Sequence, residues 1–151
     1  VNIYNIKGNK FINSPFKIYF QDMGIRNAIL NSFGNDIGHI IENIVYNELR
    51  NRGYDVSVGE VSYKELNKEK ELIKVDSEID FIAQKELDKI YVQVCQNLSD
   101  DKVYEREIKS FNKINDSFKK ILIVKDGLYK RVDKTGVIII DILDFLLSEN
   151  I

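Results

Sequence analysis

Four consecutive aliphatic residues, Ile121–Val124 (ILIV), constrain this chain more than any other stretch. Successive side chains of a strand point to opposite faces, so a strand apolar on both faces must be covered on both. A second such run lies within Gly136–Ile142 (GVIIIDI). Together they predict a sheet with packed layers above and below it, the arrangement of an α/β chain.

The longest helical pattern supplies one layer. Asp36 is a good N-cap and Gly53 a good left-handed stop. Between them Ile37, Ile40, Ile41, Ile44, Val45 and Leu49 recur at helical spacing. Glu42 lies only about 20° around the helix from Leu49, which puts a carboxylate on the border of the buried stripe. Strand patterns follow. Tyr54–Val58 alternates, and the polar stretch Gly59–Lys70 includes a turn, with Val61 and Tyr63 extending a hairpin. Glu78–Ala83 is a second strand, with Ile79, Phe81 and Ala83 on one face and Asp80 and Ile82 on the other. After a turn at Lys85–Lys89, Ile90–Cys95 is a third, with Tyr91, Gln93 and Cys95 on one face and Val92 and Val94 on the other. Val103–Ile114 reads as an amphipathic helix before the ILIV strand.

The ends add further elements. Residues 1–15 read as an irregular or extended lead-in and Phe16–Phe20 (FKIYF) as a short strand. Asp22 caps a helix running to Leu30, Asn31–Asn35 is a turn, and Asp141–Ser148 is a short terminal helix. The order helix, three strands, helix, strand predicts antiparallel neighbours among the first three strands and a parallel crossover to the fourth.

At 151 residues the chain is expected to be a single domain, 1–151. It begins with Val1, and its one Met is Met23, so a fragment of a longer protein is expected. One cysteine excludes an intramolecular disulfide and a cysteine-rich zinc site. It fits a reducing, cytoplasmic setting. No apolar run approaches the ~18 residues of a membrane span, and no signal peptide is visible. A net charge of −2 and a pI near 5.5 argue against broad attraction to nucleic acid, leaving room for a local basic patch.

Three features fall into one arrangement: an acid on the long helix (Glu42), an acid on the middle strand (Asp80), and a polar pair on the next strand (Gln93 and Cys95). This layout resembles the PD-(D/E)XK nuclease superfamily, whose restriction-endonuclease-like fold has the same element order. The resemblance implies a site in which the middle strand supplies an Asp and the next strand an acid, a spacer and a Lys. There, carboxylates hold Mg²⁺ or Mn²⁺ and the Lys stabilises developing charge. Asp80 matches the strand Asp and Glu42 the helix Glu, making these two the expected metal ligands. Gln93 stands where the second acid belongs and Cys95 where the Lys belongs. An amide is a poor ligand for Mg²⁺, and a neutral thiol supplies no fixed positive charge. The expectation is weak or lost metal binding and impaired cleavage.

A closer resemblance covers most of the chain: KIYFQDMGIRNAIL (Lys17–Leu30), DIGHIIENIVYNELRNRGYDVSVG (Asp36–Gly59), EIDFIAQ (Glu78–Gln84), IYVQVCQNL (Ile90–Leu98), YEREIKSF (Tyr104–Phe111) and DILDFLL (Asp141–Leu147). It is to the C-terminal domain that follows the AAA-type ATP-binding module in a large family of predicted bacterial and archaeal ATPases. Many members carry acid–x–Lys on the third strand; the branch with Gln–Val–Cys does not. The resemblance implies that ATP and Mg²⁺ belong to an upstream module. This chain contains no G-x-x-x-x-G-K-[ST] phosphate loop and is not expected to hydrolyse ATP.

Other polar residues have plainer readings. His39, the single histidine, has no second His at metal spacing. Glu48 lies on another side of the helix from Glu42 and reads as solvated. Asp76 and Glu78 flank Asp80 as substitute ligands. Arg106 is a candidate phosphate or partner contact, against an ordinary ion pair with Glu107. Lys64, Lys68, Lys70 and Lys74 alternate with acids and read as solvated surface. The first expectation is therefore a non-catalytic interaction domain. It would bind the upstream ATPase module, a protein partner, a second copy or, less favoured by charge, nucleic acid. Its rivals are an active Mg²⁺- or Mn²⁺-dependent nuclease and a structural domain that sets ATPase oligomer state.

Overall fold

A computed structural model describes residues 1–8, 10–12, 16–30, 36–67, 69–98, 100–126 and 130–149. The turn expected at Asn31–Asn35 and the reading of Lys68 lie outside the described residues. The elements are β1 (Ile3–Asn5), β2 (Lys10–Ile12), α1 (Met23–Leu30), α2 (Ile37–Asn51), β3 (Asp55–Leu66), β4 (Leu72–Lys85), β5 (Asp88–Cys95), α3 (Asp101–Ile108), β6 (Lys119–Val124), β7 (Arg131–Val132), β8 (Ile138–Asp141) and α4 (Ile142–Leu147). They build an α/β fold on one mixed eight-stranded sheet, ordered β2-β1-β3-β4-β5-β6-β8-β7. β3, β4 and β5 are antiparallel neighbours, and β6 joins β5 in parallel, as their connections require.

The ILIV strand behaves as its composition demands. Ile121 and Ile123 pack into a core with Ile41, Val45 and Leu49 of α2 and Phe145 of α4. Leu122 and Val124 pack into a second core with Ile108 and Phe111 on the α3 side. Helices therefore cover both faces of β6, each of whose last four residues is at most 1% exposed.

Several expectations need correction. Of the two readings of the lead-in, the extended one holds at Ile3–Asn5, which goes further and pairs in parallel with β3 and antiparallel with β2. Phe16–Phe20 joins no ladder. Instead the segment is strapped to α2 by an amide side chain: Phe20 N–H donates to Asn43 Oδ1 at 2.8 Å, and Asn43 Nδ2 donates to Phe20 O at 2.6 Å. One buried Asn thus satisfies both backbone groups that a neighbouring strand would have paired. The helix expected over Val103–Ile114 begins earlier, capped by Asp100, which accepts Val103 N–H at 2.9 Å. It ends at Ile108 and gives way to a 3₁₀ turn at Phe111–Lys113. Ile108, Phe111 and Ile114 are all buried at three-residue spacing, and three residues per turn is the 3₁₀ repeat.

The β3–β4 hairpin is longer than expected, its ladder running from Asp55↔Gln84 out to Leu66↔Leu72. Its register slips once: Ser57 faces Ile82 and Gly59 faces Ile79, so β4 carries one extra residue there. This bulge overturns the simple alternation read for Glu78–Ala83. Ile79 joins Ile82 in the α3-side core, while Phe81 and Ala83 face α2. Gly59 sits opposite the bulge, where a Cβ would lie 3.0 Å from Ile79 Cβ and 3.1 Å from Ile82 Cγ1. No helix among the described residues is long and apolar enough to cross a membrane.

Candidate functional site

Four polar residues are buried among those described: Glu42, Asn43, Asp80 and Ser110. Two are carboxylates, and a carboxylate taken out of water needs partners. α2 carries Glu42 at the edge of its apolar stripe, where the helical repeat put it; β4 carries Asp80 at the bulge.

Beside Asp80 the sheet forks. The β4–β5 ladder ends at Phe81↔Val92, and side chains take over. Asp80 Oδ2 accepts Val94 N–H at 2.7 Å, and Gln93 Oε1 accepts Asp80 N–H at 3.3 Å. Burial pushes the Asp80 carboxyl up to about 7, with the Glu42 charge adding to the rise. The Val94 N–H and the Lys17 charge oppose that rise, and Glu78 reinforces it.

Lys17 and Tyr19 complete the cluster from the Phe16–Phe20 strap. Lys17 Nζ lies 3.2 Å from Glu42 Oε1 and also donates to Glu78 Oε1. Tyr19 O–H donates to Glu42 Oε1 at 2.5 Å. Its ring stacks on Tyr46, with centroids 4.4 Å apart, and tilts against Phe81. Burial lowers the Lys17 ammonium, but the Glu78 hydrogen bond and the charges of Glu42 and Glu78 more than reverse this, leaving it above its ordinary value. Burial and then the Glu42 hydrogen bond hold the Tyr19 phenol far above its usual range. His39, largely exposed, places Nδ1 3.5 Å from Glu42 Oε2.

The structure thus brings Glu42 and Glu78 onto one ammonium whose charge reaches Asp80, with Gln93 on the backbone of Asp80. Cys95 goes elsewhere. It packs in the α3-side core, and its Sγ donates to Asn97 O at 2.9 Å. Burial, then the Glu107 charge, raises its thiol. Asp76 stands on the exposed hairpin with Ser62 and Lys74, whose hydrogen bonds hold its carboxyl low. Arg106 is exposed and paired to Glu107 at 2.8 Å. Glu48 is less solvated than expected: it holds Arg52 Nε at 2.7 Å. Lys64 and Lys74 face each other on the hairpin arm, and Lys70 lies in its turn.

A nuclease-type Mg²⁺ site does not fit these residues. An amide stands at the second-acid position and already holds the Asp80 N–H. The thiol at the lysine position packs away from the carboxylates, and an ammonium bridges two of them. Among the described residues no three His, Cys, Asp or Glu side chains are arranged to hold a metal ion.

Sequence reasoning missed Lys17, Tyr19 and Asn43. The signal was present in FKIYF, whose alternation puts Lys17 and Tyr19 on one side and Phe16 and Ile18 on the other. The fold turns the polar pair inward and leaves Phe16 and Ile18 66% and 68% exposed, against the usual preference.

An uncharacterized protein of Haemophilus influenzae is 32% identical to this chain over 145 residues, covering 96% of the chain. Those residues are 32% of that protein, so the chain spans about a third of its relative's length. No family model matches the chain, and no solved structure matches it.

Proposed function

We propose that this chain is a restriction-endonuclease-like domain that does not cleave phosphodiesters and serves as an interaction domain of a longer, AAA-type ATP-binding protein in the cytoplasm. The observation that carries the reading is the composition of the Asp80 site: the acid and the lysine that cleavage requires are replaced by Gln93 and Cys95, while Lys17 occupies the carboxylates. The order α2, β3, β4, β5, α3, β6 supports the fold assignment. A relative about three times as long supports a role beside other modules, where ATP and Mg²⁺ belong. The strap and α1 expose Phe16, Ile18, Ile25 and Ile29, each by more than half, which supports apolar contact with another part of such a protein.

The rival reading, an active metal-dependent nuclease using Glu42, Asp80 and Glu78, draws on the convergence of those three carboxylates. One assay separates the two. Labelled single- and double-stranded DNA and RNA are incubated with the chain and Mg²⁺ or Mn²⁺, alongside Asp80→Ala. The proposal expects no cleavage by either protein. Cleavage by the wild type that Asp80→Ala abolishes would overturn it.

A further inference from the structure

We propose that the outer edge of β4, over Leu72–Ser77, pairs with the same edge of a second copy of this chain, the two strands running antiparallel about Val75. The pairing uses none of Glu42, Asp80, Gln93 or Cys95 and holds whether or not the domain cleaves nucleic acid. β3 and β4 outrun the sheet. β1 pairs with β3 at Val58–Glu60, and β5 pairs with β4 at Phe81–Lys85. The hairpin continues past both as an arm, from Val61↔Ser77 to Leu66↔Leu72. Among the described residues no strand lies beside Leu72–Ser77 on the β5 side. Asn67 N–H donates to Glu71 O at 2.9 Å, so Asn67↔Glu71 is a hydrogen-bonded pair of the hairpin. Counting by twos along β4, Ile73, Val75 and Ser77 turn their backbone groups to β3, and Leu72, Lys74 and Asp76 turn theirs outward. Asp80 keeps that parity, its N–H donating outward to Gln93. Outward N–H and C=O groups along an edge are a template for another strand. The arm that carries them is braced on its α3 side. Ser77 Oγ and Ser110 Oγ lie 2.6 Å apart, Lys109 Nζ lies 2.9 Å from Glu65 Oε2, and the Lys113 ammonium sits 4.9 Å from the centre of the Tyr63 ring.

Charge selects the occupant. A lysine on an edge ordinarily keeps other strands away. Here the exposed Lys74 is followed two residues on, and so on the same face, by the exposed Asp76. Two copies that meet antiparallel through their outward residues must centre on one residue, which then faces itself across the axis. Centred on Lys74 or on Asp76, the pairing sets like charges directly opposite each other, which is destabilising. Centred on Val75, it sets Lys74 of each copy opposite Asp76 of the other, two ion pairs in one contact. The same register lays Val75 against Val75 and covers Ile73, which is 40% exposed in the single chain. The edge is complementary to itself, which points to a second copy rather than to an unrelated strand.

The test uses Lys74→Glu and Asp76→Lys, both at exposed positions. The paired edge is short, so a weak, concentration-dependent dimer is expected. Sedimentation velocity of the native chain from about 1 to 500 μM is expected to show monomer giving way to dimer. Each variant alone sets like charges opposite each other and is expected to associate at least tenfold more weakly. An equal mixture of the two restores opposite charges across the axis, although neither variant keeps the Lys74–Asp76 pair within its own strand, and is expected to dimerise as the native chain does. Amide hydrogen exchange at Lys74 and Asp76 is expected to slow as the native dimer forms. A native chain that stays monomeric throughout overturns the inference and leaves the edge to a strand of another protein. Dimers that ignore both charge reversals, a mixture that fails to associate, or exchange at Lys74 and Asp76 that does not change with concentration would place any contact elsewhere and overturn it as well.

Discussion

Asp80 stays protonated far beyond the range of an ordinary carboxyl, and this gives the fold a pH dependence of definite sign. Its folded value of about 7 stands above the ~3.9 of an unfolded Asp, with burial the larger cause and Glu42 the next. Between those values the native chain holds a proton that the unfolded chain has released. The contribution is complete below ~4 and is lost as pH rises through about 7, with a slope of at most ~1.4 kcal/mol per pH unit for one proton. Asp80→Asn, which keeps an oxygen for the Val94 N–H, should flatten the fall in stability between pH 4 and 7. Urea unfolding at a series of pH values checks this; an unchanged slope would mean that Asp80 titrates normally. Asp80 and Glu42 were legible in the sequence because each is an acid in an apolar pattern. Lys17 was not, because a lysine beside aromatic residues on a short segment reads as surface.

At the scale of elements, periodicity placed α2 and the three strands but could not see what breaks a period. The β4 bulge lies inside a run that alternates cleanly on paper, and its one trace was the lone Gly59 on the partner strand. Gly59→Ala would drive a methyl against Ile79 and Ile82 and should cost ~1–3 kcal/mol by overpacking. Chemical denaturation measures this, and a neutral substitution would contradict the observed register. The strap was misread as a strand for a related reason: extended backbone looks alike in sequence whether its partner is a strand or an asparagine. Asn43→Ala strips Phe20 N–H of its acceptor and should destabilise the chain by about 1–3 kcal/mol. It should also raise the hydrogen-exchange rate of the Phe20 amide toward that of an open chain. An unchanged rate would show that Asn43 does not hold the strap.

Across the whole molecule, the apolar runs of β6 and β8 were enough to require helices on both faces, and α2, α3 and α4 provide them. What the sequence could not rank was the N-terminal segment, since its tie to the core runs through polar contacts between residues far apart in the chain. The Lys17–Glu42 pair, 25 residues apart, joins the strap to the main helix at the rim of the sheet. The whole account turns on that contact, and a double-mutant cycle of Lys17→Met and Glu42→Gln measures it most directly. The account predicts that the two losses of stability fail to add, with a coupling of about 0.5–3 kcal/mol that weakens little in salt. Additive losses, within about 0.3 kcal/mol, would show that the ammonium does not sit among the carboxylates.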